Sequence, residues 1–404
     1  MSLFDKMFGK KVAAEKTSAP HQEIDFITAL SMHVRGELET ALSAYLSFAE
    51  KTPEYTLAPF FAATIEAGKG NTAEAADTLR TLSRQFSAAG ESVSRGIALE
   101  IIDLLKDRTL PKLPAVADLI VSFGDLLKKQ GHIRESAVCF EIGTGLVPDN
   151  AHMLHKLGDT LHDLRIYDYA ESVLKEALKH APYHFGAIYT YAVLLQDLGR
   201  NEEAIAYYEK AVQLVPTHVS CQNNYGAALL RANRLDDALI HCTLAEELDP
   251  KAPLVKINLG YIHSLRQEFD AARTCFTEAL SLNDKLDPAY FGLASVEQAV
   301  QGDTGRIKEL YLKAVEINPA LAEAHYALGN VLAAQGDQQA LAYFSTAALL
   351  NDNMRNLHRD FGLASLHFGR REEALRLLRL ALQQNPEDVM VQEALAKAEA
   401  DISQ

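Results

Sequence analysis

The sequence predicts an all-α solenoid, an array of stacked helix pairs, and three regularities support this prediction. Small residues recur at spacings of 34, 34, 34, 34, 34, 35 and 33 positions, a second series of small residues keeps step with them, and prolines close most units. Such self-similarity is typical of units that bury their apolar faces only by stacking on neighbours. The first series is Gly124, Gly158, Ala192, Gly226, Gly260, Ala294, Gly329 and Gly362, and the second is Gly143, Ala177, Ala211, Ala245, Ala279, Ala314, Ala347 and Ala381.

Residues 185–218 illustrate one period. Apolar and small residues follow helical spacing on both sides of Gly199, and Pro216 ends the unit. This pattern predicts two amphipathic helices joined by a tight turn, where glycine tolerates a positive φ or a close approach. The small residues let the helix axes come close, and we expect larger residues to fill the space toward the next repeat. The recurring turn residues include Gly131, Gly199, Gly302, Gly336 and Gly369, and the larger residues are Tyr208, Phe276, Tyr311 and Phe344.

These positions resemble those of the tetratricopeptide repeat, a helix–turn–helix unit of 34 residues. The small-residue positions match in eight consecutive units over residues 117–388, and the aromatic and terminal-proline positions match in most of these units. The resemblance implies a right-handed superhelix. The chain departs from the family pattern because it has no tryptophan, and one unit has an extra residue between Ala294 and Gly302.

The pattern also predicts how the chain is divided. Residues 1–21 are expected to form a flexible tail, and residues 22–89 two degenerate repeats. A helical joint is predicted over 90–116, because a helical period there is broken by two prolines. Beyond the eight repeats of 117–388, residues 389–404 carry an apolar stripe (Val389, Val391, Leu395, Ala398 and Ile402) typical of a capping helix.

Composition excludes several classes of function. The net charge of −15 argues against nucleic-acid binding and favours neutral or basic partners. Phosphate-binding glycine loops and nucleophile-elbow motifs are missing, so the sequence predicts neither an enzyme nor a cofactor. No apolar run is long enough for a membrane span or a signal peptide, and the cysteines show no CxxC spacing, which together favour a cytoplasmic location. A short basic amphipathic stretch in residues 1–11 is the one place where we expect membrane contact to be possible.

In the family that the repeats resemble, positions 2, 5, 9 and 12 of the first helix line a concave groove. Helical spacing agrees that these positions share one stripe. The resemblance therefore implies a protein–protein interaction scaffold or adaptor that holds a peptide or helix, with aromatic anchors on an otherwise polar surface. The alternative for the apolar members is that some turn inward and pack between repeats. The candidate partner-binding residues are His155, Asp159, Tyr189, Val193, Asn224, Ile257, Asn258, Tyr261, Phe291, Tyr326, Asn330 and Arg359.

Two further hypotheses concern metal and self-assembly. His152, His155, Asp159 and His162 are suitable zinc ligands on one helix face. One straight helix cannot surround a tetrahedral ion with all four, so the sequence predicts no metal site. A self-assembling structural protein that forms homo-oligomers through a terminal unit or its N-terminal tail is the alternative to the adaptor.

Overall fold

The computed structural model describes residues 37–51, 57–69 and 113–400, together with positions 29, 32, 71, 73, 75, 77 and 80. Within these residues every bounded element is an α-helix, which confirms the predicted all-α class. The first two helices are α1 (Leu38–Lys51) and α2 (Leu57–Gly68). The helices of residues 113–214 are α3 (Leu113–Lys129), α4 (Ile133–Leu146), α5 (Ala151–Asp163), α6 (Tyr167–His180), α7 (Phe185–Asp197) and α8 (Asn201–Leu214). Those of residues 219–400 are α9 (Val219–Arg231), α10 (Leu235–Leu248), α11 (Pro253–Leu265), α12 (Phe269–Leu282), α13 (Asp287–Ala299), α14 (Thr304–Ile317), α15 (Ala322–Ala334), α16 (Ala340–Leu350), α17 (Leu357–His367), α18 (Arg371–Gln384) and α19 (Val389–Ala400).

The helices α3 to α18 form eight antiparallel pairs, each a first helix followed by a second helix. Each second helix packs on its own first helix and, inside a compact unit, on the first helix of the next pair. Contacts divide the chain into two compact units, residues 1–215 and 216–404, and each unit is described by itself below. None of the helices in the described ranges is both long enough and apolar enough to cross a bilayer.

Each turn between paired helices needs one residue with a positive φ, and glycine is not always that residue. Gly199 adopts a φ of 76°, as the turn pattern predicts. Arg165, Asn233 and Gln267 take the left-handed conformation at the corresponding positions, with φ of 58°, 58° and 62°. This shows that the geometry of the helix pair imposes the conformation even where a side chain makes it costly.

The extra residue predicted between Ala294 and Gly302 lies in the turn before α14. Gln301 has the positive φ there, at 55°. Gly302 instead makes a close approach, because an added Cβ would lie 3.1 Å from the carbonyl oxygen of Glu297. The side chain of Asp303 then caps α14 by accepting a hydrogen bond from the Arg306 N–H at 2.8 Å. The insertion therefore leaves α13 and α14 at the usual repeat lengths of 13 and 14 residues.

The small residues and the aromatic residues pack together as the sequence predicts. In residues 216–404, Phe276 of α12 is fully buried. An added Cβ would lie 2.7 Å from the Phe276 ring at Gly260 and 2.3 Å from it at Gly292, so glycine on both neighbouring first helices admits the ring. Tyr208, Tyr311 and Phe344 are buried at the corresponding positions of other repeats.

The predicted divisions coincide only partly with the observed helices. The helix α3 begins at Leu113, inside the predicted joint, because a proline is tolerated in a first helical turn. The tail 1–21 and residues 90–112 of the joint lie outside the described residues. The helix α19 caps the array with buried Val391 and Ala398, but Val389 is 61% exposed. Val389 is therefore wrongly placed in the predicted stripe, because it begins α19 with its side chain largely exposed while Val391, two residues later, is the one that is buried.

A carboxylate in residues 1–215 joins α6 to α7 and to the N-cap of α8, and we expect it to make this unit sensitive to acid. Glu171 of α6 accepts hydrogen bonds from Arg200 at 2.7 Å and Tyr191 at 3.1 Å, and it pairs with Lys175 at 2.7 Å. The bonds from Lys175 and Arg200 lower the pKa of Glu171 from 4.5 to about 2. A lowered folded-state pKa contributes stability above the unfolded-state pKa, and that stability is lost as the pH falls.

We therefore expect the unfolding free energy to fall between about pH 4.5 and pH 2, and Glu171→Gln to remove part of this dependence. Urea denaturation at several pH values measures the effect. The control is Glu202→Gln on the exposed surface of α8, which should keep the wild-type pH profile. An identical slope for wild type and Glu171→Gln would contradict the assignment.

Candidate protein-binding surface

The first helices of neighbouring repeats contact each other, and their outward side chains form one face in each unit. We call the face of α3, α5 and α7 the N-terminal first-helix face. The face of α9, α11, α13, α15 and α17 is the C-terminal first-helix face. All twelve candidate residues lie on these helices, so the periodicity places them on the intended elements.

Charged pairs between repeats dominate the N-terminal first-helix face. The Lys128 ammonium lies 2.5 Å from the Asp159 carboxylate, and Lys156 lies 2.7 Å from Asp125. These partners are 31 positions apart, so each pair joins a residue of one repeat to its neighbour. Asp159, a candidate for partner binding, is thus engaged by Lys128.

Three histidines meet at one end of this face. His152 and His155 lie on α5, and His184 is the N-cap of α7. The ring centroids are 6.4 Å apart for His152 and His155, 5.2 Å for His155 and His184, and 5.8 Å for His152 and His184. One nitrogen of each ring lies within 4.8 Å of the other two. His155 is half-buried, and its Nε2 lies 3.2 Å from the Thr190 hydroxyl of α7.

The apolar candidates of α7 are half-buried rather than fully exposed. The Tyr189 ring lies parallel to that of Phe185, with centroids 6.0 Å apart, and is tilted against Tyr208 at 6.3 Å. Val193, one turn further along α7, is also half-buried. Both present only part of their surface to a partner.

The predicted exposure of Ile257 on the C-terminal first-helix face is wrong. Ile257 is 4% exposed and packs in the core with Ala272, Phe276 and Leu293. Helical spacing identifies the stripe on α11 but not how far the next repeat covers it. This residue therefore contributes to stability and offers no surface to a ligand.

Amide side chains connect α9 and α11 on the same face. Asn258 donates a hydrogen bond from Nδ2 to Oδ1 of Asn223 at 2.8 Å, and Asn223 in turn lies 3.5 Å from Asn224. The predicted pair of Asn224 and Asn258 is therefore linked through Asn223, which is buried. Asn224 and Asn258 are half-buried at the surface of this amide cluster.

Aromatic side chains continue the face along α11 and α13. The Tyr261 hydroxyl donates to the Pro288 carbonyl at 2.9 Å, and the ring meets Phe276 edge-on at 5.1 Å. Burial, followed by the nearby Asp287, raises the pKa of Tyr261, so the hydroxyl stays protonated. Phe291 is half-buried with its ring 5.7 Å from Tyr311. Successive repeats thus present partly exposed rings held by their neighbours.

At the end of the face, Tyr326 of α15 donates a hydrogen bond to the Asp360 carboxylate of α17. Burial and this bond raise the pKa of Tyr326 to about 12. Arg359 is held by Asp360 at 2.8 Å, and Asn330 is half-buried on the next turn of α15. Both Tyr326 and Arg359 are therefore anchored by one carboxylate.

Sequence reasoning missed two residues that organise these surfaces, His184 and Asp360. A signal existed for each. His184 stands 34 positions before His218, and both accept a hydrogen bond at a helix start, from Ala187 and Cys221 respectively. Asp360 follows Tyr326 by 34 positions, the repeat period itself.

Comparisons with known proteins find the same helix-pair repeat that the structure shows. Family models described as tetratricopeptide repeat match residues 189–253 and 255–286, and a model described as TPR repeat matches residues 309–336. The crystal structure of the APC/C hetero-tetramer Cut9–Hcn1 shares the fold, with a TM-score of 0.57 at 13% identity over 92% of this chain and 83% of that chain.

Among curated proteins, the chain is similar to the BBSome complex member BBS4 of Bos taurus, with 24% identity over 55% of this chain and 43% of that protein. It is also similar to the human Protein O-mannosyl-transferase TMTC3, with 25% identity over 68% of this chain and 32% of that protein. The chain therefore spans less than half the length of these relatives. Together the family models and the shared fold identify tetratricopeptide repeats in residues 189–253, 255–286 and 309–336, and they support a protein-interaction role.

Proposed function

We propose that the chain is a non-catalytic interaction scaffold that binds a peptide or helix on the C-terminal first-helix face. The observation that carries this proposal is the succession of half-buried rings, Tyr261, Phe291 and Tyr326, along neighbouring first helices. Each ring is already held by a hydrogen bond or by a second ring, so little conformational freedom is lost on binding. Rigid aromatic side chains of this kind are the usual anchors of protein interfaces.

The composition of the face favours one class of partner. Apolar side chains would pack against the rings, while Asn224, Asn258 and Asn330 offer amide groups to a peptide backbone. The net charge of −15 favours a neutral or basic segment over an acidic one. We infer a cytoplasmic setting from the same composition and from the lack of CxxC spacing among the cysteines. Because the match to TMTC3 covers 32% of that protein, its transferase name supplies no activity for this chain.

The test compares truncation of the rings with truncation of apolar residues elsewhere. Affinity capture from source lysate identifies the partners, and their affinities are then measured for the variant Tyr261→Ala/Phe291→Ala. We expect each truncation to cost about 2 kcal/mol, or roughly 30-fold in affinity. Tyr189→Ala, tested separately, shows whether the N-terminal first-helix face takes part.

The matched control removes two exposed apolar residues from second helices, Ile240 (63% exposed) and Leu349 (86% exposed). Ile240→Ala/Leu349→Ala should bind as the wild type does, and all variants must melt cooperatively. The proposal would be overturned if the control variant lost binding while Tyr261→Ala/Phe291→Ala retained it. The partner would then bind to the second helices instead.

One observation favours self-assembly as a second candidate function. Val389 and Met390, which begin the terminal helix α19, are 61% and 60% exposed. An apolar pair at the end of an array is a surface on which a second copy could stack. Light scattering would then give masses rising from 44.4 kDa with concentration, and Val389→Lys/Met390→Lys would abolish the rise. A constant 44.4 kDa would exclude this candidate.

A further inference from the structure

We propose that His152, His155 and His184 form a binding site for a Zn²⁺ ion on the N-terminal first-helix face. The site joins two repeats, since two ligands come from α5 and the third from the start of α7. The three ring nitrogens already lie within 4.8 Å of one another. This inference is independent of the proposed peptide site, which belongs to the other compact unit.

The spacing requires only a small adjustment to bind the ion. Zinc–nitrogen bonds of roughly 2.0–2.1 Å in a tetrahedron place ligand nitrogens about 3.4 Å apart. His152 is exposed in the first turn of α5, so its ring is free to rotate toward the other two. The helix α5 thus supplies one ligand whose ring can move, His152, and one whose ring is held in place, His155.

His155 is the fixed ligand, and its surroundings are shaped around the ring. An added Cβ at Gly186 of α7 would lie 2.5 Å from Cε1 of His155, so only glycine admits the ring here. The Nδ1 atom is buried and has no hydrogen-bond partner among the described residues. In the tautomer whose Nε2–H donates to the Thr190 hydroxyl, 3.2 Å away, the Nδ1 lone pair is left for a metal. Such an outer hydrogen bond is the usual way to fix the tautomer of a metal-binding histidine.

Metal binding requires one ring nitrogen without its proton on each of the three histidines. The nearby Lys156 ammonium is paired with Asp125 at 2.7 Å.

Three imidazole nitrogens favour a borderline ion such as Zn²⁺ over the hard ions Mg²⁺ and Ca²⁺, which prefer oxygen. A tetrahedral ion with three protein ligands keeps one position for water or for a side chain of a partner. Binding has a structural consequence at His184, whose Nδ1 now accepts the Ala187 N–H at 3.1 Å. Whether the metal takes Nδ1 itself or takes Nε2 after a proton moves to Nδ1, the Ala187 amide loses this acceptor.

The test is calorimetric titration of the full chain, treated with chelator, with ZnCl₂ at micromolar concentration. We expect a binding event that Mg²⁺ does not produce. His184→Asn is the sharpest variant, because asparagine preserves helix capping but removes the imidazole. It and His152→Gln should each weaken this event by more than about tenfold. Hydrogen exchange of the Ala187 amide should accelerate when zinc is added to the wild type.

His218→Asn is the matched control, since His218 caps α9 as His184 caps α7. It should bind zinc as the wild type does. The absence of heat at micromolar zinc would overturn the proposal. Equal affinity in the wild type and in His184→Asn would also overturn it, because the ion would then lie elsewhere. Cobalt substitution supports the site if it gives the visible spectrum of a tetrahedral ion that His184→Asn abolishes.

Discussion

Replacement of Phe276 by alanine is expected to lower the free energy of unfolding by about 3–5 kcal/mol. The Phe276 ring is fully buried between Gly260 and Gly292 and meets Tyr261 edge-on at 5.1 Å. Its removal leaves a cavity at the contact between two repeats, and the glycines on both sides have no side chains to fill it. Chemical denaturation of residues 216–404 in the full chain measures the loss.

A double-mutant cycle tests whether the space between Phe276 and Gly292 is the cause. Gly292→Ala alone should destabilise, because the added Cβ would lie 2.3 Å from Cζ of Phe276. In the Phe276→Ala background the same change should stabilise by up to about 1 kcal/mol, since alanine favours a helix over glycine. Leu349→Ala, at a residue that is 86% exposed, is the control for loss of an apolar side chain. If Gly292→Ala destabilised the protein in the Phe276→Ala background as it does in the wild type, this explanation would be contradicted.

The second large effect is expected for Gly226→Leu, which should lower the unfolding free energy by about 1–3 kcal/mol. A Cβ at Gly226 would lie 2.4 Å from Cys242 Sγ, 3.2 Å from the Ala238 carbonyl oxygen and 3.3 Å from the Cys242 backbone nitrogen. Two of these three atoms belong to the α10 backbone, so rotation of a side chain cannot relieve the collision. Thermal and urea denaturation give the magnitude.

Gly145 provides a matched control on another helix. It lies in α4, and an added Cβ would meet nothing within 4 Å. Gly145→Ala is therefore expected to stabilise by roughly 0.5–1 kcal/mol through helix propensity. A Gly226→Leu protein as stable as the wild type would show that α9 and α10 are not closely packed at this point.

The sequence predicts the helix pairs well, because the 34-residue period and the apolar spacing depend only on residues within one repeat. Phe276 and Gly260 could be assigned to the core from that period alone. The turns show the limit of residue-type reasoning, since Arg165, Asn233 and Gln267 adopt the left-handed conformation that glycine would adopt more easily. Here the packing of two helices overrides the local preference.

The candidate surface was less predictable, because it depends on how one repeat is rotated against the next. Ile257 shares a helical stripe with Tyr261, yet the following repeat covers the first and leaves part of the second accessible. His184 belongs to a different helix from His152 and His155, so no spacing within α5 could reveal their meeting. The first helix of each repeat can be read from sequence, whereas contacts between repeats require the structure.

The bonds between repeats have a consequence for how the chain acquires its structure during synthesis. Asn258 bonds to a residue 35 positions away, Tyr261 to one 27 positions away and Tyr326 to one 34 positions away. Contacts of such short sequence separation close small loops, and proteins rich in them fold quickly. Within each compact unit, we therefore expect a helix pair to dock on the preceding one as it leaves the ribosome, before synthesis of the chain is finished.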